Sequence, residues 1–455
     1  MKVLFTSFGA STHLSLLMPL AHAFTHAGHR VCIASHADAV PFLQRAGLPY
    51  VIVSPKWDKS ALEQTAGEYS QGPRVPPEIE TSAPGRSFID FDDSETSGQI
   101  AAKLAVLAFF VSGYMTDDAF TARICDFARS WDADLVVWDS LTYAGSVAAE
   151  IAGATSVRSL FGIDQASSLR RRYQELGGSG DPLSSWLAGQ VKHHGGRVLD
   201  LATESDRLAY GDLTVNPMPD GVHTPPDHAR IDIANPGFFS SPMPSGSWLE
   251  SRHKGGRPRV CVTIGLSSRE HNLKIPPIGV LMDALRDLDL DVLVTLNEAE
   301  ARKAGFFREG FSYTETVSFD GLFPSIDLVI HHFGTGTLLA AYRSGVPQIH
   351  FEAPVDYWGE RLLSRRLHQT GHVWTIDHGA LSREEMRDLI VAALADRSAR
   401  ERAFASRDSY MARRSPSVAV RDIVAFVESG ELITGSAGWG AADDPTQVRL
   451  GEETL

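Results

Sequence analysis

Short apolar runs alternate with amphipathic stretches along most of the chain. At the N-terminus "KVLFTSF" is rich in β-formers, and Leu14, Leu17, Met18, Ala21 and Phe24 then recur at helical spacing. Gly28 is placed to close that helix, and "RVCIA" follows as a second strand, which makes one βαβ unit. Proline disrupts a helix interior, so Pro19 predicts regular helix only from Leu16 onward. The alternation resumes after Arg259. Strands are expected at "RVCVTIG", "DVLVTL", "DLVIHH", "PQIHF" and "HVWTI", and helices at "PPIGVLMDALRDL", "GTLLAAYRSG" and around Leu362. These runs lack the period-two alternation of half-exposed strands, so both faces are covered and the sheets are parallel. The fold class is α/β, with two doubly wound parallel sheets.

Eight of the 24 prolines fall between Asn216 and Pro258, a density that suits loops and marks a linker between two domains. The division this predicts is an N-terminal domain over 1–215, a linker over 216–258 and a second domain over 259–412. A C-terminal helix over 413–430 is expected to pack back on the first domain, and 431–455, without periodic apolar positions, to form a flexible tail. Ser54 to Gln99 is polar and rich in Pro, Gly and Ser, as a mobile flap would be. The longest apolar run, Leu104 to Met115, is well short of the ~20 residues a membrane helix needs, and reads as a buried helix lining an apolar pocket. No internal repeat is present.

At 455 residues the chain exceeds one comfortable core, and 43% apolar with 22% charged residues is ordinary for a globular protein. A net charge of −14 argues against nucleic acid and anionic membranes as partners, because both select basic surfaces. Any anion site must therefore be local. Cys32, Cys125 and Cys261 are few and far apart, the usage of reduced thiols in a cytoplasm, and Val3 to Phe5 is too short an apolar run for a signal peptide.

One stretch concentrates candidate chemistry: "DLVIHHFGTGTLLAA", from Asp327 to Ala341. A strand ends in paired histidines and runs at once into glycines, threonines and a helix. Helix N-termini beyond parallel strands offer free N–H groups to anions, so a phosphate is expected here. Gly334 and Gly336 would permit close approach, Thr335 and Thr337 would add hydroxyls, and His332 is the nearer histidine contact. His331 reads instead as a half-buried residue satisfied by backbone. A dinucleotide fingerprint fits poorly, because Leu339 occupies the third glycine position. A metal site also fits poorly, because His331 and His332 point to opposite strand faces, while His350 and Glu352 show no ligand spacing. "DFDD" at 90–93 lies in the polar flap and reads as a solvated acidic loop.

"HHFGTGTLLAAYRSGVPQIHFEAPVDYWGERL", the upstream "VSFDGLFPSIDLVIHH" and the N-terminal "FTSFGASTHLSLLMPLAHAFTHAGHRV" resemble bacterial natural-product glycosyltransferases of the GT-B fold. The donor signature of that family is written around His-His-Gly-Gly-x-Gly-Thr and Gly-Val-Pro-Gln. The likeness covers most of residues 1–430 and is strongest to macrolide and related polyketide deoxysugar transferases.

The resemblance implies two Rossmann-like domains facing a cleft, with the acceptor bound by the first and the nucleotide-sugar by the second. It makes His13 the catalytic base and Asp139 the carboxylate that orients it, although Asp139 alone could equally cap the helix of "SLTYAGSVAAEIA". It carries His332, Gly336 and Thr337 onto the donor diphosphate, together with Gly334. Ser267 is a further candidate, with Leu266 replacing the family's usual hydroxyl after the glycine. Val317 and Phe319 fall in the segment that holds the nucleoside. Asp356 and Tyr357 stand where an Asp-Gln pair commonly reads the sugar; loss of that amide beside Tyr357 and Trp358 suits a TDP-deoxysugar.

The implied reaction is inverting, metal-independent and without a cofactor, and moves the sugar to a polyketide-type aglycone. Ser54–Gln99 and Phe161–Asp200 would line the aglycone pocket. A helper protein and a homodimer remain open as partners. The alternatives are a GT-B sugar-nucleotide epimerase and a catalytically silent, transferase-like auxiliary protein.

Overall fold

The structure is a computed structural model that describes residues 1–56, 94–109, 115–222, 228–238, 256–265, 278–315, 317–351, 359–376 and 381–432. Thirteen strands build two sheets. The first seven are β1 (Lys2–Thr6), β2 (Arg30–His36), β3 (Tyr50–Ser54), β4 (Leu135–Asp139), β5 (Thr155–Ser159), β6 (Leu213–Asn216) and β7 (Arg230–Asp232). They pair in the order β3-β2-β1-β4-β5-β6-β7, all parallel.

The other six are β8 (Arg259–Thr263), β9 (Asp291–Val294), β10 (Ser312–Tyr313), β11 (Leu328–His331), β12 (Gln348–Phe351) and β13 (Val373–Ile376). Their order is β10-β9-β8-β11-β12-β13, again parallel. Both sheets thus reverse direction of growth once, between β1 and β4 and between β8 and β11. A crevice opens there beyond the strands' carboxyl ends, where open α/β sheets bind ligands. The expected pair of doubly wound sheets is present.

Both faces of the first sheet are covered, as its unbroken apolar strands require. Leu4, Val136 and Trp138 face one layer with Phe120, Ile124, Val147, Leu169 and Leu187. Ile100, Leu104 and Leu107 of helix Ser97–Phe109 join this layer, so one face of the described part of the long apolar run is core while Ala105 is exposed. Val3, Phe5 and Val137 face the other layer, where Leu14, Leu17 and Phe24 meet Ala419, Val420 and Ile423 of the last helix, Pro416–Ser429.

Two local features differ from the sequence expectation. The first helix runs from Ser11 to His26 and contains Pro19, instead of starting near Leu16. Proline removes only the bond to the carbonyl four residues back, and the buried Leu14, Leu16, Leu17 and Met18 hold the helix against the sheet. Gly28 closes it at φ +85, with His29 N donating to the Phe24 carbonyl at 3.0 Å. Secondly, β7 lies inside the proline-rich stretch read as linker. It is a three-residue edge strand, the position in a sheet where nearby prolines cost least.

The linker welds the halves together. Asn235 Nδ2 donates to the Leu16 carbonyl and its N–H to Tyr410 Oη, both at 2.9 Å, while Arg343 donates to the Asn235 carbonyl at 3.2 Å. Leu16, Ala234, Leu339 and Tyr410 pack around these bonds, so helix Ser11–His26 of the first half touches helix Thr335–Ser344 of the second. Residues 57–93, the bulk of the expected flap and including Asp90–Asp93, lie outside the described residues, as do 433–455, whereas Ser54 ends β3 and 97–99 begin helix Ser97–Phe109.

Candidate active site

His13 sits in the first turn of the helix that leaves β1, and Asp139 ends β4, so the first switch point brings them together across 126 residues of sequence. His13 Nδ1 and Asp139 Oδ2 are 2.7 Å apart and both side chains are buried. The other carboxylate oxygen, Oδ1, accepts from Leu141 N at 2.8 Å. Asp139 therefore shapes the turn but does not cap the next helix, which starts at Ala144 after Tyr143 with no side-chain cap.

Thr142 ties the two loops: its Oγ1 accepts from Phe8 N at 3.1 Å and its N–H donates to the Asp139 carbonyl at 2.7 Å. Phe161 stacks on the His13 ring at 3.4 Å and 13°, and Phe8 leans on it at 4.5 Å. With Nδ1 committed and the ring clamped, Nε2 is the nitrogen left to accept a proton.

The second switch point holds the glycine turn. His332 follows β11, and Gly334 is the N-cap of helix Thr335–Ser344, with no side-chain cap and no acidic residue in the first turn. The helix thus starts with its N–H groups and positive dipole end unopposed, as an anion site requires. The individual glycines differ from expectation. A methyl on Gly334 would lie 2.9 Å from the His332 ring, and one on Gly265, after β8, only 2.2 Å from it. Those two glycines make room for the imidazole, whereas Gly336 alone faces open space. Thr335 and Thr337 are both buried.

Burial lowers the pKa of His332 to about 4, partly offset by a backbone hydrogen bond to Thr263, and its Nδ1 has no protein partner. It is a neutral imidazole at the turn. His331 is not half-buried but wholly enclosed, and its partners are one side chain and one backbone group: Nε2 pairs with Gln348 Oε1 at 2.9 Å, while Phe333 N donates to Nδ1 at 3.3 Å. Burial pushes His331 down to about 3 and His350 well below the ordinary imidazole value.

Both stay neutral in the folded chain, whereas the unfolded chain protonates them below about 6.5. Stability should therefore fall as pH drops from about 6.5, by up to about 1.4 kcal/mol per pH unit for each histidine, before carboxylates contribute. Urea midpoints measured at pH 7.5, 6.5 and 5.5 check this; an unchanged midpoint between pH 6.5 and 5.5 would contradict it.

Phe333 takes the first glycine position of the His-His-Gly-Gly signature and has φ +77, a left-handed backbone that costs a side-chain residue about 1–2 kcal/mol. Its ring meets His350 edge-on at 4.0 Å and packs with Leu338, Tyr342, Leu363, Met218 and Val222. Packing outweighs strain, since a buried Phe→Ala change costs about 3–5 kcal/mol. Phe333→Gly should therefore destabilise less than Phe333→Ala, by about 1–2 kcal/mol in denaturant unfolding. The reverse order would show that the backbone carries no strain.

Val317 is a core residue beside Cys261 and Leu293, and Phe319 stacks on Phe323 at 4.6 Å while half-exposed. Ser267, Asp356 and Tyr357 lie outside the described residues. Sequence reasoning named Phe161 only as the start of a pocket-lining segment and missed Phe8, Thr142 and Phe333. Only Phe333 left a signal, a bulky residue at a glycine position. Among the described residues, one group could hold a metal ion, Asp118, His193 and His194, and it includes no residue of either switch point. No described helix is long and apolar enough to cross a membrane.

Two Rossmann-like sheets, one presenting a histidine–carboxylate pair and the other an uncapped helix N-terminus, make up the GT-B class of glycosyltransferases. Residues 22–265 match the family described as erythromycin biosynthesis protein CIII-like, N-terminal domain, and residues 279–426 match its C-terminal domain. The chain belongs to this glycosyltransferase family.

An aclacinomycin-T 2-deoxy-L-fucose transferase of Streptomyces galilaeus is 32% identical over 446 residues, covering 94% of this chain and 96% of that protein. A 10-deoxymethynolide desosaminyltransferase of Streptomyces venezuelae is 29% identical over 440 residues, covering 93% and 96%. The crystal structure of the glycosyltransferase VinC in complex with dTDP has a TM-score of 0.75 and 30% identity, covering 94% of this chain and 100% of that one.

Proposed function

We propose that this enzyme transfers a deoxysugar from a TDP-sugar to a hydroxyl of a polyketide-type aglycone, with inversion and without a metal. The observation that carries the reading is the 2.7 Å His13–Asp139 pair at one switch point, with the uncapped helix N-terminus of Gly334 at the other. His13 Nε2 takes the acceptor proton as the oxygen attacks the anomeric carbon, and Asp139 stabilises the imidazolium that forms. The bond to the diphosphate breaks on the opposite face, which inverts the centre. The departing charge is met by the N–H groups around Gly336 and by the positive end of the helix dipole.

His332 is neutral and so contributes at most one N–H donor, not a charge. In this reading Val317 and the half-exposed Phe319 hold the nucleoside, and the buried Thr337, in the first turn of helix Thr335–Ser344, meets the diphosphate. TDP is favoured by the dTDP-bound VinC likeness, and a deoxysugar by relatives named for 2-deoxy-L-fucose and desosamine. The nucleotide-sugar is a substrate, and no cofactor is invoked. Three buried, unpaired cysteines support a cytoplasmic location.

TDP should raise the melting temperature more than UDP at equal concentration, and incubation with a TDP-deoxysugar plus aglycone should give a glycoside in the presence of EDTA. Equal stabilisation by UDP, or loss of transfer with EDTA, would overturn the nucleotide or the metal-free assignment respectively. Conversion of donor alone into an isomer would favour the epimerase.

A further inference from the structure

The loop from β5 to helix Gln165–Glu175 reaches from the first half to the second. Phe161 at its start covers His13, Ile163 packs into the cluster of Phe333 and Leu338, and Gln165 at its end lies against Gly359. A methyl on Gly359 would come within 2.3 Å of Gln165 Nε2, and Gly359 has φ +78. Gln165 is only 9% exposed, yet its Nε2 has no hydrogen-bond partner.

A buried amide left unsatisfied costs about 1–3 kcal/mol, and packing does not require one here, because an apolar side chain would fill the same space. The position is also held firmly. Gln165 N donates to the Ile163 carbonyl at 3.0 Å. The preceding Asp164 caps the helix through Ser167 N and is gripped by both terminal nitrogens of the fully buried Arg158, at 3.1 and 2.6 Å. The result is an unpaired donor on a fixed backbone, set against Gly359 where a loop of the first half meets the second.

The transferred sugar must lie between the acceptor oxygen at His13 and the diphosphate at the Gly334 helix, and this loop touches both neighbourhoods. The chain leading into Gly359, "EAPVDYW", contains no carboxamide. We infer that Gln165 reads the donor sugar from the acceptor-side domain: its Nε2 donates a hydrogen bond to a ring hydroxyl of the TDP-bound pyranose. This rests on the proposed function. Gln165 is a specificity-determining residue and takes no part in proton transfer.

The test is calorimetry and kinetics on Gln165→Leu, Gln165→Glu and Gly359→Ala. Gln165→Leu keeps the fold, since it replaces an unsatisfied amide with apolar volume, and its melting temperature checks this. Binding of TDP alone and of TDP-L-rhamnose is compared first in the wild type, with no acceptor present. Failure of the wild type to bind either overturns the functional reading, and this inference with it.

Given binding, Gln165→Leu should weaken TDP-L-rhamnose by about tenfold while leaving TDP within about twofold. Gly359→Ala, which pushes the amide aside, should do the same, and Gln165→Glu should lose less than Gln165→Leu, because a sugar hydroxyl can turn to donate to the carboxylate. Equal loss for TDP and TDP-L-rhamnose, no loss for either, or a rise confined to the acceptor KM would each overturn the inference while leaving the transferase reading intact.

Discussion

Exchanging His13 for alanine should lower kcat for sugar transfer by about 10³-fold, with the Kd for TDP unchanged. The acceptor hydroxyl must shed a proton as the new bond forms, and His13 is the base that the first switch point presents beside the cleft. Its ring is fixed on three sides, by Asp139 at 2.7 Å and by Phe161 and Phe8, so little reorganisation precedes transfer. Removing the ring also leaves Asp139 buried with Leu141 N as the one remaining partner of its carboxylate among the described residues, so some thermal stability should be lost. His13→Gln keeps volume and a donor towards Asp139 and separates the effects: it should recover the melting temperature but not the rate. Retention of more than about a tenth of kcat by both variants would remove His13 from proton transfer.

Asp139→Asn should have the second largest effect, a fall in kcat of about 10²–10⁴-fold with donor and acceptor KM nearly unchanged. The amide can still bond to Nδ1 and to Leu141 N, so the loop survives, but it presents no charge to the imidazolium and can turn an N–H toward Nδ1 and force the wrong tautomer. Because the two residues act as one unit, the His13→Ala, Asp139→Asn double variant should be barely slower than His13→Ala alone. Single-turnover rates at saturating donor read this directly. Full additivity of the two losses would show that Asp139 acts elsewhere.

Some of this site was legible in the chain. Period-two alternation was missing from "KVLFTSF", "RVCVTIG" and "DLVIHH", and each proved to be a strand covered on both faces. Strand ends running into helix starts marked His13 and the Gly334 turn, because the backbone chemistry of a helix N-terminus is local and written within a few residues. The first helix starts at Ser11 and not near Leu16 as Pro19 led one to expect, since local propensity there yields to the burial of a whole apolar face.

Spacing along the chain could set each strand, each helix and the kind of residue at its end, for those depend on neighbours three or four positions away. It could not show that His13 meets Asp139 directly, that Phe161 lies on that imidazole, that Gly265 and Gly334 shelter His332, or that Gln165 reaches Gly359. Those pairings were decided by strand order and by the seating of one sheet against the other. The physical reason is that contacts between residues a hundred or more positions apart arise from burying shared apolar faces, a property of the assembled fold and not of any short window.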